Sequence, residues 1–289
     1  MYERVVELLP GAPEGDRPTP DPTMRIAVVG QRNAGKSTLI NALAREERMF
    51  VSEVPGTTRD AVDVVFERDG QTFVAIDTAG VRRKKSMEDA IEFYSDARAH
   101  KSIRRADVVL HLFDVTKKLS AIDKQLARYV VDHHKPVVLA ANKWDLVEGL
   151  TPEDFRKYID AELPGLSFAP ISFLSATTGE GVDATFELAG ELHAQARTRV
   201  TTGELNRVLT RALEARSPSS GGHAVRIRYA TQAEVAPPTF VLFVNDKKLF
   251  NKDYLRYLQN RLREELPFRE IPVRIVLRDG AEPERGEKT

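Results

Sequence analysis

From Arg25 onward the chain alternates short apolar runs with longer stretches of helical period, a rhythm that predicts a mainly parallel α/β sheet. Residues 26–29, 108–113, 137–141 and 169–174 are apolar and read as buried strands. Residues 62–67 and 72–76 flank Asp69-Gly70, a hairpin signal, so one strand pair is expected to be antiparallel. That makes a six-stranded sheet, with helices expected at 37–45, 86–105, 122–133, 152–162 and 182–198. After about residue 200 the order changes: helix 202–215, a break at 217–222, strands 225–232 and 239–244 joined through Pro237-Pro238, helix 251–265 and strand 273–277. This α-β-β-α-β order predicts a small α+β domain.

The flanks lack that rhythm. Residues 10–23 contain five prolines and read as an extended linker, and the end of the chain is a charged tail expected to be disordered. The expected organisation is therefore a leader and linker at 1–23, one α/β domain at 24–199, the α+β domain at 200–280 and a tail at 281–289.

Composition narrows the function classes. Lys plus Arg and Asp plus Glu number 43 each, so no global basic field points to nucleic acid and DNA is not expected as a partner. The segment from residue 201 onward has a mild basic excess, sixteen Lys and Arg against twelve Asp and Glu. There are no cysteines, which excludes disulfides and thiolate metal sites and suits a reducing cytoplasm. No apolar run approaches the ~20 residues of a membrane span. The stretch at residues 5–9 is too short and too acidic for a signal peptide.

Five motifs then fall in order: Gly30-Gln31-Arg32-Asn33-Ala34-Gly35-Lys36-Ser37, Pro55-Gly56-Thr57-Thr58-Arg59-Asp60, Asp77-Thr78-Ala79-Gly80, Asn142-Lys143-Trp144-Asp145 and Ser175-Ala176-Thr177. The first fits a phosphate-binding loop between a strand and a helix. Gly30 and Gly35 let the backbone curl so that its N–H groups face phosphates beside a helix N-terminus. The nucleotide-binding residues of this loop are expected to be Gly30, Asn33, Ala34, Gly35, Lys36, Ser37 and Thr38. Lys36 is expected to reach the β- and γ-phosphates and the Ser37 hydroxyl to ligate Mg²⁺. Asp77 can hold the same ion, commonly through water, while the Gly80 N–H meets the γ-phosphate. Thr58 can complete the Mg²⁺ shell only when a γ-phosphate is present, the behaviour of a switch loop. In isolation Asp77 and Thr58 are also ordinary turn and loop residues, so their assignment depends on the set.

At the other end, the two acceptors of Asp145 match the guanine N1–H and exocyclic amine, which adenine cannot satisfy. Asn142 can bond the base and tie the loops together, Lys143 can lay its stem along the ring, and Ser175-Ala176 can offer an N–H to guanine O6. Trp144 is expected to pack locally. Together the motifs describe a chain that binds and hydrolyses GTP.

The sequence resembles the bacterial ribosome-assembly GTPase family Der, also called EngA, over its second G domain and C-terminal KH-like domain. The resemblance runs from about Met24 to Leu277. It rests on Pro55-Gly56-Thr57-Thr58-Arg59-Asp60, on Asp77-Thr78-Ala79-Gly80-Val81-Arg82-Arg83-Lys84 and on Thr202-Gly203-Glu204-Leu205-Asn206-Arg207-Val208-Leu209. Its most specific part is Tyr229-Ala230-Thr231-Gln232 with Pro237-Pro238-Thr239-Phe240-Val241-Leu242-Phe243-Val244-Asn245. The resemblance implies a GTPase switch acting as a monomer on the large ribosomal subunit, contacting its RNA and proteins. A passive binding module with structural GTP, or a relative of the Era-type or tRNA-modification GTPases, are the alternatives. The Tyr-Ala-Thr-Gln and Pro-Pro-Thr-Phe segments favour Der.

Two departures from that family matter. Der proteins carry two tandem G domains and this chain carries one, and residues 2–9 resemble the end of a last G-domain helix. The chain is therefore expected to be a piece whose first G domain, otherwise a partner, is missing. No G-x-x-G loop lies between helices of the KH-like part, so weak independent RNA binding is expected, with that domain docking on the G domain instead. Where many GTPases carry a glutamine after Asp-x-x-Gly this chain has Val81, which cannot orient a water. Relatives with that replacement commonly use K⁺, and the resemblance implies that Asn33 helps to hold it. A cation there would offset transition-state charge, an effect worth ~10³-fold or more when an arginine supplies it.

Overall fold

The computed structural model describes residues 23–45, 49–50, 64–68, 71–76, 91–218 and 225–280. Its larger sheet is built from β1 (Met24–Val29), β2 (Met49–Phe50), β3 (Val64–Arg68), β4 (Gln71–Ile76), β5 (Val108–Asp114), β6 (Val137–Asn142) and β7 (Ile171–Leu174). They lie in the order β2-β3-β4-β1-β5-β6-β7. All six expected strands are present. Met49–Phe50, a seventh strand of two residues, joins the β3 edge antiparallel, too short to leave a periodic signal. β3 and β4 are antiparallel, and the pairings from β4 through β7 are parallel.

The two central strands explain why the sheet must be covered on both faces. Every residue of β5 and β6 is buried, as their unbroken apolar runs require. The helices are α1 (Lys36–Arg45), α2 (Ile91–Arg105), α3 (Ala121–Asp132), α4 (Pro152–Glu162) and α5 (Val182–Arg197). On one face Leu39 and Leu43 of α1 pack with Phe186, Ala189 and Leu192 of α5. On the other, Ile103 of α2, Leu126 and Val130 of α3, and Phe155 and Ile159 of α4 close a second core. Truncating a fully buried member such as Leu139 or Ile159 to alanine would cost about 2–5 kcal/mol.

Local chemistry fixes where these helices begin. Ser120 and Asp123 form a capping box at α3, and Thr151 caps α4 with Pro152 in its first turn. The short turn Trp144–Leu146 follows β6, and Trp144 packs on Phe173 at 4.4 Å between ring centroids, the local role expected of it.

The second sheet is smaller and differently exposed. It comprises α6 (Thr202–Ala215), β8 (Ile227–Glu234), β9 (Thr239–Val244), α7 (Lys252–Glu265) and β10 (Arg274–Asp279), the expected α-β-β-α-β sequence. The strand order is β10-β9-β8, with β9 and β10 parallel and β8 antiparallel to β9. α6 and α7 cover one face with Leu205, Leu209, Leu258 and Leu262, and their core is continuous with the α5 side of the larger sheet.

Polar clasps join the two layers. The Gln232 side chain accepts from the Val200 N–H at 2.9 Å and donates to the Thr198 carbonyl at 3.0 Å. Ala236 N–H donates to the Ala196 carbonyl at 2.9 Å, closing the end of α5 onto the β8–β9 turn. Asn206 both accepts from and donates to the Ala230 backbone, each at 2.9 Å, fastening α6 to β8. Residues of the Tyr-Ala-Thr-Gln and Thr202–Leu209 segments thus serve as fasteners within the fold.

Candidate nucleotide site

The site residues gather at the carboxyl ends of β1, β5, β6 and β7, where an open α/β sheet offers a crevice. β1 ends at Val29, and the loop that follows turns through Gly30, Asn33 and Gly35 at φ of 146°, 63° and 101°. Asparagine tolerates the left-handed region better than most residues, and only glycine suits the other two angles. A Cβ on Gly30 would lie 2.2 Å from the Leu112 carbonyl oxygen, and one on Gly35 would lie 2.2 Å from Asn142 Nδ2. The loop backbone therefore lies directly against the ends of β5 and β6. The first amides of α1, among them those of Lys36 and Ser37, have no intrahelical acceptor and add the positive end of a helix to the loop. Such a curl of backbone suits phosphate oxygens.

Lys36 is held in place before any ligand arrives. Its Nζ donates to the Gly30 carbonyl at 2.8 Å and to the Gln31 carbonyl at 2.7 Å. Burial pushes its pKa down, and the negative charge of Asp123 opposes that shift. Asn33 is exposed on the loop, Ala34 is buried beneath it, and Ser37 and Thr38 stand in the first turn of α1. Thr58, Asp77 and Gly80 lie outside the described residues. Among the described residues no group of three or more His, Asp or Glu could hold a metal ion.

At the other end, Asn142 is the keystone. Its Nδ2 donates to the Ala34 carbonyl at 2.7 Å, and its Oδ1 accepts from the Ala176 N–H at 2.9 Å. One buried side chain thus ties the phosphate loop to the loop after β7. Ser175 is buried as well, and its hydroxyl accepts from the Thr178 N–H at 3.3 Å. Lys143 sits at a left-handed φ of 66° and its Nζ donates to Asp114 Oδ2 at 2.5 Å. Asp145 is exposed in the turn that follows.

Asp114 belongs to none of the five motifs. It ends β5 opposite Asn142 and also accepts from the Thr116 N–H at 3.1 Å and the Thr116 hydroxyl at 2.5 Å. Burial would raise its pKa, but the Lys143 and Thr116 contacts outweigh that and hold it at about 2. The available signal was a carboxylate closing an apolar run, the same position that Asp77 occupies in sequence after β4.

Two families match. "50S ribosome-binding GTPase" covers residues 25–143, and "KH-domain-like of EngA bacterial GTPase enzymes, C-terminal" covers residues 199–278. The chain is similar along nearly its whole length to the Der/EngA GTPases. GTPase Der of Rhodopirellula baltica is 48% identical over 98% of this chain and 63% of its own length. GTPase Der of Moorella thermoacetica is 42% identical over 98% of this chain and 64% of its own, and that of Caldanaerobacter subterraneus 41% over 94% and 62%. The chain thus spans just under two thirds of the Der relatives it matches. Among solved structures, Aquifex aeolicus Era bound to GDP·AlF4⁻ aligns over 90% of this chain at 22% identity, with a TM-score of 0.44. No helix among the described residues is long and apolar enough to cross a membrane.

Proposed function

We propose that this chain is a GTP-hydrolysing switch that acts in the cytoplasm, as a monomer, during maturation of the large ribosomal subunit. The observation that carries the reading is the Asn142 bridge, which holds a phosphate-type loop and a guanine-type loop at one crevice. Similarity to the Der/EngA GTPases supports both the chemistry and the ribosomal role.

In this reading the loop amides and Lys36 bind the β- and γ-phosphates, and the Gly80 N–H meets the γ-phosphate. Asp145 accepts from the guanine N1–H and amine, Lys143 lies along the ring with its charge anchored on Asp114, and the Ser175-Ala176 backbone faces guanine O6. Ser37, Thr58 and Asp77 would hold Mg²⁺, and Asn33 would help to hold K⁺. The loop suits such company: its glycine backbone is tightly seated and Asn33 stands exposed at its rim. When bound, these cations supply positive charge beside the phosphates, where negative charge develops. Thr58 then reports the γ-phosphate, and the switch loops transmit its loss toward the KH-like part, residues 200–280, and through it to the ribosome.

Steady-state hydrolysis of GTP in potassium chloride and in sodium chloride at matched ionic strength tests this. Turnover stimulated by potassium, with the stimulation lost in Asn33→Ala, is the expected result. Tight GTP binding with negligible turnover in both salts would overturn the enzymatic reading in favour of a passive module.

A further inference from the structure

Beneath the phosphate loop lies a buried carboxylate that belongs to none of the five motifs. Asp123 is fully buried in the first turn of α3, and its two oxygens have different duties. Oδ2 accepts from the Ser120 N–H at 2.9 Å and from the Ser120 hydroxyl at 2.7 Å, which completes the capping box of its own helix. Oδ1 reaches out of that box and accepts from the N–H of Gln31, 92 residues away in sequence, at 3.2 Å.

A capping box needs only the first of these duties. The second fixes the peptide that opens the phosphate loop, because the Gln31 carbonyl is one of the two that receive Lys36 Nζ. Gln31 is therefore gripped twice, its N–H by Asp123 and its C=O by Lys36. Behind Oδ1 stands His111 of β5, also fully buried, its Nε2 at 3.8 Å, beyond hydrogen-bond reach. Neither ring nitrogen of His111 has a hydrogen-bond partner, and the ring packs on Phe113 at 4.3 Å between centroids. The carboxylate and the imidazole behind it are thus both fully buried.

Burial works against the charge on Asp123, while the nearness of His111 and the hydrogen bonds from Ser120 keep its pKa below the usual carboxylate value. A buried anion is retained only where its partners outweigh desolvation, and here those partners include a loop amide and the nearby Lys36 ammonium.

We propose that Asp123 is a positioning residue for the phosphate loop, holding the Gln31 amide so that the curl from Gly30 to Lys36 is set before nucleotide arrives. This rests on the guanine-nucleotide reading of the site. The residue acts through the backbone and touches no phosphate.

The test separates this duty from helix capping. Affinities for GDP and GTP and thermal midpoints are measured for the 289-residue chain and for Asp123→Ala, Asp123→Asn and Ser120→Ala. Loss of the loop contact in Asp123→Ala should weaken both nucleotides about tenfold or more. Asp123→Asn keeps an acceptor for Gln31 and should restore affinity to within about threefold. Ser120→Ala removes the cap hydroxyl and should lower the thermal midpoint while leaving affinity unchanged. Equal affinity losses in Ser120→Ala and Asp123→Ala would reduce Asp123 to a cap and overturn the inference, as would unchanged binding by Asp123→Ala. A wild-type chain that bound neither nucleotide would overturn the underlying reading and the inference with it.

Discussion

The two ends of the site are held by different means. At the base end side chains do the holding: both polar atoms of Asn142 are spent on the Ala34 carbonyl and the Ala176 amide, and Lys143 is anchored on Asp114. At the phosphate end the backbone itself is the structure, bent through Gly30, Asn33 and Gly35 at positive φ and pressed against the strand ends. A side-chain network fails by losing a partner, at a cost set by the groups left unpaired. A backbone cradle fails by gaining an atom. The two ends should therefore respond to opposite kinds of substitution.

The largest effect is expected at the point where the ends meet. Gly35→Ala puts a methyl 2.2 Å from Asn142 Nδ2 at a φ of 101°, so it strains the cradle and displaces the keystone together. Nucleotide affinity, read with a fluorescent GDP analogue, should fall at least ~100-fold. Near-normal binding would mean that the loop is not seated as described.

Next in size is Asn142→Ala, which leaves a carbonyl and an amide buried without partners. At roughly 1–3 kcal/mol for each, a loss of about 2–6 kcal/mol is expected in chemical denaturation, together with loss of guanine binding. A stability change below ~1 kcal/mol would show that the tie contributes little.

Asp145→Asn should change the kind of base rather than the fold. The exposed carboxylate offers acceptors only, and an amide in its place presents a donor, which suits xanthine O2 better than the guanine amine. Competition binding should show GDP weakened by tens-fold or more and XDP strengthened, with an unchanged thermal midpoint. An unaltered preference for GDP would remove Asp145 from base recognition.

The smallest effect concerns Lys143 and Asp114. Asp114 is held at about 2 in the folded chain against ~3.9 unfolded, so its contribution to stability is present above the unfolded value. It is lost as pH falls through about 2. The stability gap between wild type and Lys143→Ala should be on the order of 1 kcal/mol at neutral pH, after allowance for solvent screening. It should close as pH falls from ~4 toward ~2. A gap that did not narrow in acid would assign the effect to packing of the lysine stem.

Much of this arrangement was legible in the sequence, and what was not has a physical reason. Buried parallel strands announce themselves, because β5 and β6 must be apolar on both faces, and the motifs stand at their ends. The tie made by Asn142 between loops was anticipated from its place after such a strand. The two-residue strand Met49–Phe50 carries no period to detect. Asp123 did have a local signature, the Ser120-Ala121-Ile122-Asp123 capping box, but that pattern says nothing of Gln31, which only the fold brings within 3.2 Å. Asn206 and Gln232 stand in segments that mark the family resemblance, and only the fold makes them clasps on Ala230 and on residues 198–200. Long-range hydrogen bonds of this kind leave no periodicity along the chain.

Base selection at a preformed site is the most direct consequence of this geometry. The measurement is calorimetric titration of the magnesium-containing chain with GDP, GTP, ADP and ATP under one set of conditions. Saturable one-to-one binding of both guanine nucleotides is expected, with no detectable binding of either adenine nucleotide. Comparable binding of ATP, or binding of none of the four, would contradict that expectation.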